Sequence, residues 1–260
     1  MLINPTDSPL TGIVVVTPTS PVVTPPHAPP GAPLSYTIAP RSFYRFSVAF
    51  ASDSPITTGF MRVIPDVDSP APASFGIFSL HSGGILLTAA NIAAAPDSTA
   101  FRLYAEASTS VRTGIAVANT SSSTARLTLE LTNCDGSATG LTGTLSVPPN
   151  SHAIAFLNEI PGFASLPTEF NGTLRLTSSA LVSLVGLRGR YNERGDFLMT
   201  AVPAVDELTT PTERLFVPQI VDSGGYTTQF VLFNGQPVSS SAGSIELFSQ
   251  TGDPLNIPLQ

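Results

Sequence analysis

The chain has no lysine and no tryptophan, and it carries a single cysteine in 260 residues. All 11 basic residues are arginine, set against 18 acidic ones, so the formal charge is −7 and the pI is near 4.8. Charged residues make up 11% of the chain, less than half of what an average soluble domain carries. An acidic, lysine-free surface cannot neutralise a phosphate backbone, which excludes a nucleic-acid binder. One cysteine, Cys134, allows no disulfide within the chain. Its surroundings, TNCDGS, supply no histidine or cation to activate a thiol, so it is read as a small, semi-buried residue at a strand end. Long apolar runs are also missing. The best, Ala180 to Leu187, is broken by Ser183 and Gly186 and falls far short of the ~18 residues a membrane helix needs. The first residues lack a positive stretch, and their apolar run is only Gly12 to Val16, so they are not a signal peptide.

What is present is 25 prolines, 20 glycines and many serines and threonines, with 42% hydrophobic residues. Scattered prolines exclude a helical bundle, and the apolar share argues against disorder. The composition is that of an extracellular β protein. From residue 40 onward, short alternating runs are separated by Gly, Pro, Asn or Asp. Examples are Phe43–Phe50, Gly59–Ile64, Ser74–Leu80, Phe101–Ala105, Thr113–Asn119 and Ala125–Leu131. This spacing predicts an antiparallel sandwich or barrel. The one helix signal is Ser151–Ile160, where Ser151 could cap a short helix that Pro161 stops.

Residues 1–39 read differently. The prolines between Thr17 and Pro33 remove amide donors and fix φ, which predicts an extended polyproline II arm. Ahead of them lie Gly12, Ile13, Val14, Val15 and Val16, a strand-forming run with no neighbour in sequence to pair with. Such a run on a stiff arm is expected to add to the edge of another subunit.

The chain also repeats itself. Thr113–Asn119 matches Thr228–Asn234, and Arg126–Thr132 matches Ser244–Ser249, each followed by a Gly/Asp turn. Gly59–Val63 matches Gly172–Leu176, and Leu34–Pro40 is similar to Leu145–Pro149, so the arm holds what reads as the tail of a preceding copy. The period, near 110 to 115 residues, is that of an immunoglobulin-like sandwich. The expected division is a proline-rich arm over 1–39, a first sandwich over 40–148, and a second over 149–260 that opens with a connector over 149–168. The connector's Ile154, Phe156, Leu157, Ile160 and Phe163 are expected to form a rigid apolar junction between the two. Four motifs carry a resemblance: TGIAVANTSS, LELTNCDG, the AFLNEIPGF connector, and GTLRLTSSALVSLVGLR followed by FLMTAVP. Over residues 40–260 the chain resembles tandem β-sandwich repeat units of large secreted and surface proteins of environmental bacteria. That resemblance implies fold rather than activity.

Candidate chemistry is sparse. His27, His81 and His152 fall in no zinc-binding spacing, and no G-x-S-x-G elbow nominates a nucleophile. Asp66 and Asp68 could offer oxygens to calcium but lack the rest of a liganding run. Glu159 with Glu169, and Glu193 with Asp196, read as turn carboxylates. The best ligand candidate is the loop bearing Arg188, Arg190, Tyr191 and Arg194, where three arginines surround an aromatic ring. Otherwise its arginines pair with Glu193 and Asp196. Asn119 and Asn171 each begin an N-glycosylation pattern.

The expectation is an all-β protein of two tandem immunoglobulin-like sandwiches behind an extended arm, without metal or cofactor. Its function is expected to be non-enzymatic, as an extracellular structural subunit or segment of a surface filament. Assembly would proceed by strand addition and apolar junctions, chiefly through self-association. An adhesin or carbohydrate-binding module of a secreted bacterial protein, with glycans as partners, is the alternative.

Overall fold

A computed structural model describes residues 1–18, 32–48, 56–209, 214–232, 234 and 240–255. The chain is almost all β, built from antiparallel sheets. It divides into two compact units, Met1–Leu208 and Thr209–Gln260. The boundary therefore falls some sixty residues beyond the expected division at 148/149. The reason is β13, Phe170–Tyr191, which pairs with strands on both sides of that division.

The larger unit holds two sandwiches. The central one comprises β8 (Ser98–Ala107), β9 (Val111–Asn119), β10 (Ala125–Asn133), β11 (Ala138–Val147), β12 (Ser151–Phe156), β13, β14 (Phe197–Val202) and the short β15 (Val205–Asp206). β13 changes register between Thr177 and Val182. Its first half lies between β10 and β8, and its second half lies between β9 and β14. One long strand thus serves two layers. Between them sit Leu103, Ile115, Leu129, Leu174 and Leu184, all buried, as period-2 alternation demands.

The N-terminal sandwich repeats this plan. Its strands are β1 (Leu2–Ile3), β2 (Leu10–Pro18), β3 (Leu34–Ile38), β4 (Phe43–Tyr44), β5 (Gly59–Pro65), β6 (Ala73–Ser82) and β7 (Ile85–Ala93). The sheet orders are β4-β1-β6-β7 and β3-β2-β5. Register by register they copy β12-β9-β13-β14 and β11-β10-β13. Leu10 opposes Ile38 as Ala125 opposes Val147. Val16 opposes Met61 as Leu131 opposes Leu174. Ile3 opposes Ala73 as Ala118 opposes Ser183, and Gly76 opposes Ile92 as Gly186 opposes Val202. Leu2, Leu10, Val14, Tyr36 and Ile38 form the core. The segment similar to Leu145–Pro149 is therefore a true counterpart, and the repeat extends through what the sequence suggested was an arm.

Three expectations are corrected here. Gly12–Val16 is no free donor. It lies in β2 with β3 on one edge and β5 on the other, because a hairpin return and a later strand of the same chain reach it first. Ser151–Phe156 is a strand on the edge of β9, since six backbone partners there outweigh one weak cap, and of the expected helix only a single 3-10 turn, Leu157–Glu159, forms before Pro161. The connector does not lie between units either: Leu157, Ile160 and Phe163 are buried in the central core, while Ile154 is exposed. Most of the proline-rich stretch, 19–31, lies outside the described residues.

Candidate functional site

Each sandwich is closed by the same asparagine hook. Asn4 is buried at the end of β1, and its amide donates to the carbonyls of Ser8 (2.8 Å), Ile38 (3.1 Å) and Ala39 (3.0 Å). Its Oδ1 accepts from the backbone N–H and hydroxyl of Thr6. Asn119 is buried at the end of β9 and donates to Ser123 (2.7 Å), Val147 (3.0 Å) and Pro148 (3.0 Å). Its Oδ1 accepts from the N–H and hydroxyl of Ser121. The backbone after each last carbonyl takes the same positive φ, 55° at Arg41 and 51° at Asn150. Position 119 minus position 4 is 115. Sequence reading missed Asn4 because the matched run before it is only two residues long. A buried amide with three acceptors cannot carry a glycan in the folded chain, so Asn119 is not a glycosylation site.

A second hook marks the start of the copy. Thr113 Oγ1 donates to Glu106 O (2.9 Å) and accepts from the Glu106 N–H (2.8 Å). In the smaller unit, Thr228 Oγ1 donates to Val221 O (2.7 Å) and accepts from the Val221 N–H (2.9 Å). The turn Asn133–Ser137, with Gly136 at φ 82°, returns as Ser249–Asp253 with Gly252 at φ 87°. The smaller unit therefore carries local features of a third copy. Among its described residues only isolated bridges form, so Thr228–Leu232 does not sit in a strand as Thr113–Val117 does.

The arginine loop is a tight polar hairpin. Arg188 is paired with Glu106, and Arg190 with Glu193 at 2.7 Å. Asn192 rather than an arginine bonds Asp196, at 3.0 Å. The Tyr191 ring packs on Phe197 at 5.0 Å, with the Arg112 guanidinium 5.9 Å from its centroid. The backbone N–H of Arg194 donates to Asn192 Oδ1, and its side chain is exposed. Each of the first two charges is thus matched within the loop or by β8. Cys134 is exposed, and its thiol donates to Asn171 Oδ1 at 3.0 Å, so it is less buried than the sequence suggested. Among the described residues no three His, Cys, Asp or Glu gather to hold a metal ion. No helix there is long and apolar enough to cross a membrane.

A concave feature runs along β5. It is a cleft of ≈ 740 Å³ with a mostly apolar lining, bounded by β5 and β6, by residues 92–97, and by β9 and β13 of the central sandwich. Phe60 and Arg62 face it from β5, and His152 and Leu184 from the other wall. Burial lowers the His152 pKa, and its ring stands 6.5 Å from that of Phe60. In the central sandwich the same edge, the first half of β13, is covered by β8. Among the described residues, β5 has no partner there. Comparison with protein-family models, curated proteins and solved structures finds no match to this chain.

Proposed function

We propose that the chain is a non-enzymatic structural component of an extracellular surface fibre, built from tandem copies of one sandwich. The observation that carries this reading is the return of one hook, one register set and one positive-φ corner at offsets of 109 to 115 residues. A fold repeated with its closing bonds intact is a spacer, in which each copy supports load through backbone ladders. Contacts at the link between copies support it further. Ser183 Oγ donates to Ala95 O at 3.0 Å, and Thr120 Oγ1 donates to Asp97 Oδ2 at 3.2 Å. These bonds tie the link between the two sandwiches, residues 94–97, to the central one. The low charge and the Ser, Thr, Gly and Pro content fit an exported chain. Glycan binding draws no comparable support, because two of the three arginines nominated for it are already paired with carboxylates.

Labelling of intact cells with an antibody tests the location, and single-molecule pulling tests the role. Surface label without permeabilisation is expected, with sequential unfolding steps of roughly 40 nm per copy (115 residues at about 3.5 Å). Label confined to the cell interior, or a single unfolding event, overturns the reading.

A further inference from the structure

The two sandwiches of the larger unit differ at β8 and the short β15 that pairs with it. β1, β2, β3, β4, β6 and β7 each have a counterpart, and β5 matches the first half of β13, but no described strand occupies the place of β8 or of β15. The place of β8 is the apolar cleft along β5. The central copy displays what belongs there: β8 runs antiparallel to β13 with Phe101, Leu103 and Ala105 buried. The counterpart of β8 in the third copy is Arg214–Val221, fixed by the Thr113/Thr228 hooks at an offset of 115. In that segment Leu215, Phe216 and Val217 are 75%, 84% and 61% exposed. Phe216 stands where Phe101 is only 2% exposed. A bare edge with an apolar slot and an unpaired segment with exposed apolar side chains are complementary.

We propose that the β5 edge of one chain accepts Arg214–Val221 of a second copy of the same chain, in the register of β8 on β13. This rests on the reading of the protein as an assembling structural component and supplies its joint. Carrying the register across, Val63 faces Phe216 as Leu176 faces Phe101, and Gly59 faces Ile220 as Gly172 faces Ala105. Pro218 takes the place of Leu103, and an edge strand tolerates the missing donor. Acceptor and donor are different surfaces, so the contact is heterologous and propagates head to tail.

The test uses the full chain in a Cys134→Ser background. Val63→Cys with Phe216→Cys places two thiols directly opposite, within the Cα range a disulfide requires. Oxidation is expected to give a ladder of linked multimers on a non-reducing gel. Val63→Cys with Ile220→Cys, out of register, is expected to give about tenfold less. Sedimentation of the unaltered chain is expected to show multimers that grow with concentration and vanish in Phe216→Asp at unchanged circular dichroism. Monomers throughout with no ladder overturn the proposal, as does a disulfide formed within single chains. Multimers that survive Phe216→Asp without a ladder overturn this joint and leave the fibre reading standing. A ladder from a chain found only inside cells upholds the joint and removes the fibre reading.

Discussion

Arg62 and Arg175 hold the same position in two copies and keep different company. Arg175 Nε lies 2.9 Å from Glu207 Oε2, and its Nη1 lies 3.5 Å from Glu130 Oε2. Glu207 holds the Arg175 guanidinium above its ordinary pKa, and Arg102 closes on the same carboxylate at 2.7 Å. Among the described residues Arg62 bonds Asn150 Oδ1, at 3.4 Å, its guanidinium stands 5.9 Å from the Phe60 ring centroid, and its Nε is buried without a hydrogen-bond partner there. Val15 stands where the central copy has Glu130, and no described strand brings a counterpart of Arg102. The missing strand and the missing ion pair are one difference seen twice.

The carboxylate of Glu207 is therefore expected to matter to the central sandwich. Its side chain is 10% exposed and serves two arginines. Glu207→Gln leaves both facing a neutral amide and is expected to cost about 2–3 kcal/mol, the arginines' partial exposure softening the loss. Glu193→Gln removes a pair whose carboxylate is 83% exposed and is expected to change stability by less than about 0.5 kcal/mol. Urea unfolding of the two variants measures the contrast, and equal effects would refute it.

Asn119→Ala removes both amide N–H donors, which three carbonyls share, and strands Ser123, Val147 and Pro148 O. A loss of about 2–4 kcal/mol is expected. Asn119→Asp is expected to be no better, since a carboxylate cannot donate to a carbonyl. Midpoints of chemical denaturation decide this. An Asp variant as stable as wild type would show that the hook works through its Oδ1 alone.

The all-β character was legible because alternation survives in single strands. Thr113–Asn119 and Ala125–Leu131 each bury alternate residues, as their pattern requires. The repeat was legible for the same reason, but its phase was not. Copies were cut at residues 40 and 149, where prolines punctuate, although those prolines sit inside the hook. The real seam needs the knowledge that β13 continues past Ser178 into a second layer, and no local signal marks a strand that changes sheets. Gly12–Val16 looked unpaired because its partner β3 lies beyond the proline-rich stretch. The apolar content of the connector predicts burial, which Leu157, Ile160 and Phe163 show, but sequence cannot say which core receives them.

That core is identified by comparing two of the connector's own residues. Phe163 is fully buried among central-sandwich side chains, while Ile154 is 48% exposed. Phe163→Ala is expected to cost about 3–5 kcal/mol and Ile154→Ala less than about 1 kcal/mol. Hydrogen exchange on the Phe163 variant is expected to lose protection in β10 and β11 together. Loss confined to residues beyond Thr209 would place Phe163 in a junction instead.

His152 ties stability to pH. Burial lowers its pKa in the folded chain, so the unfolded chain binds the extra proton first as pH falls. Its contribution is present above the unfolded value of about 6.5 and is lost as pH drops from there toward the lowered folded value. His152→Gln is expected to flatten the pH dependence of unfolding below about pH 6.5. The C2 proton of His152 followed by NMR should titrate below an exposed histidine, and a value at or above 6.5 would contradict the assignment.

Gly12 tests whether β2 is an interior strand. A Cβ there would stand 2.3 Å from Ile64 O, 2.5 Å from Tyr36 Oη and 2.8 Å from Pro65 Cα. Two of these are backbone atoms of β5, which cannot swing aside as a flexible side chain can. Gly12→Ala must therefore push β2 away from β5, with an expected loss of about 2–4 kcal/mol centred on the N-terminal sandwich. Gly76→Ala is the control. It lies in β6 of the same sandwich, and its nearest neighbour would be Ile92 O at 4.0 Å, so it is expected to be neutral within about 0.5 kcal/mol. If β2 were instead a strand held free for another subunit, Gly12→Ala would leave the isolated chain as stable as Gly76→Ala does. Thermal unfolding of the two single variants, side by side, separates these outcomes.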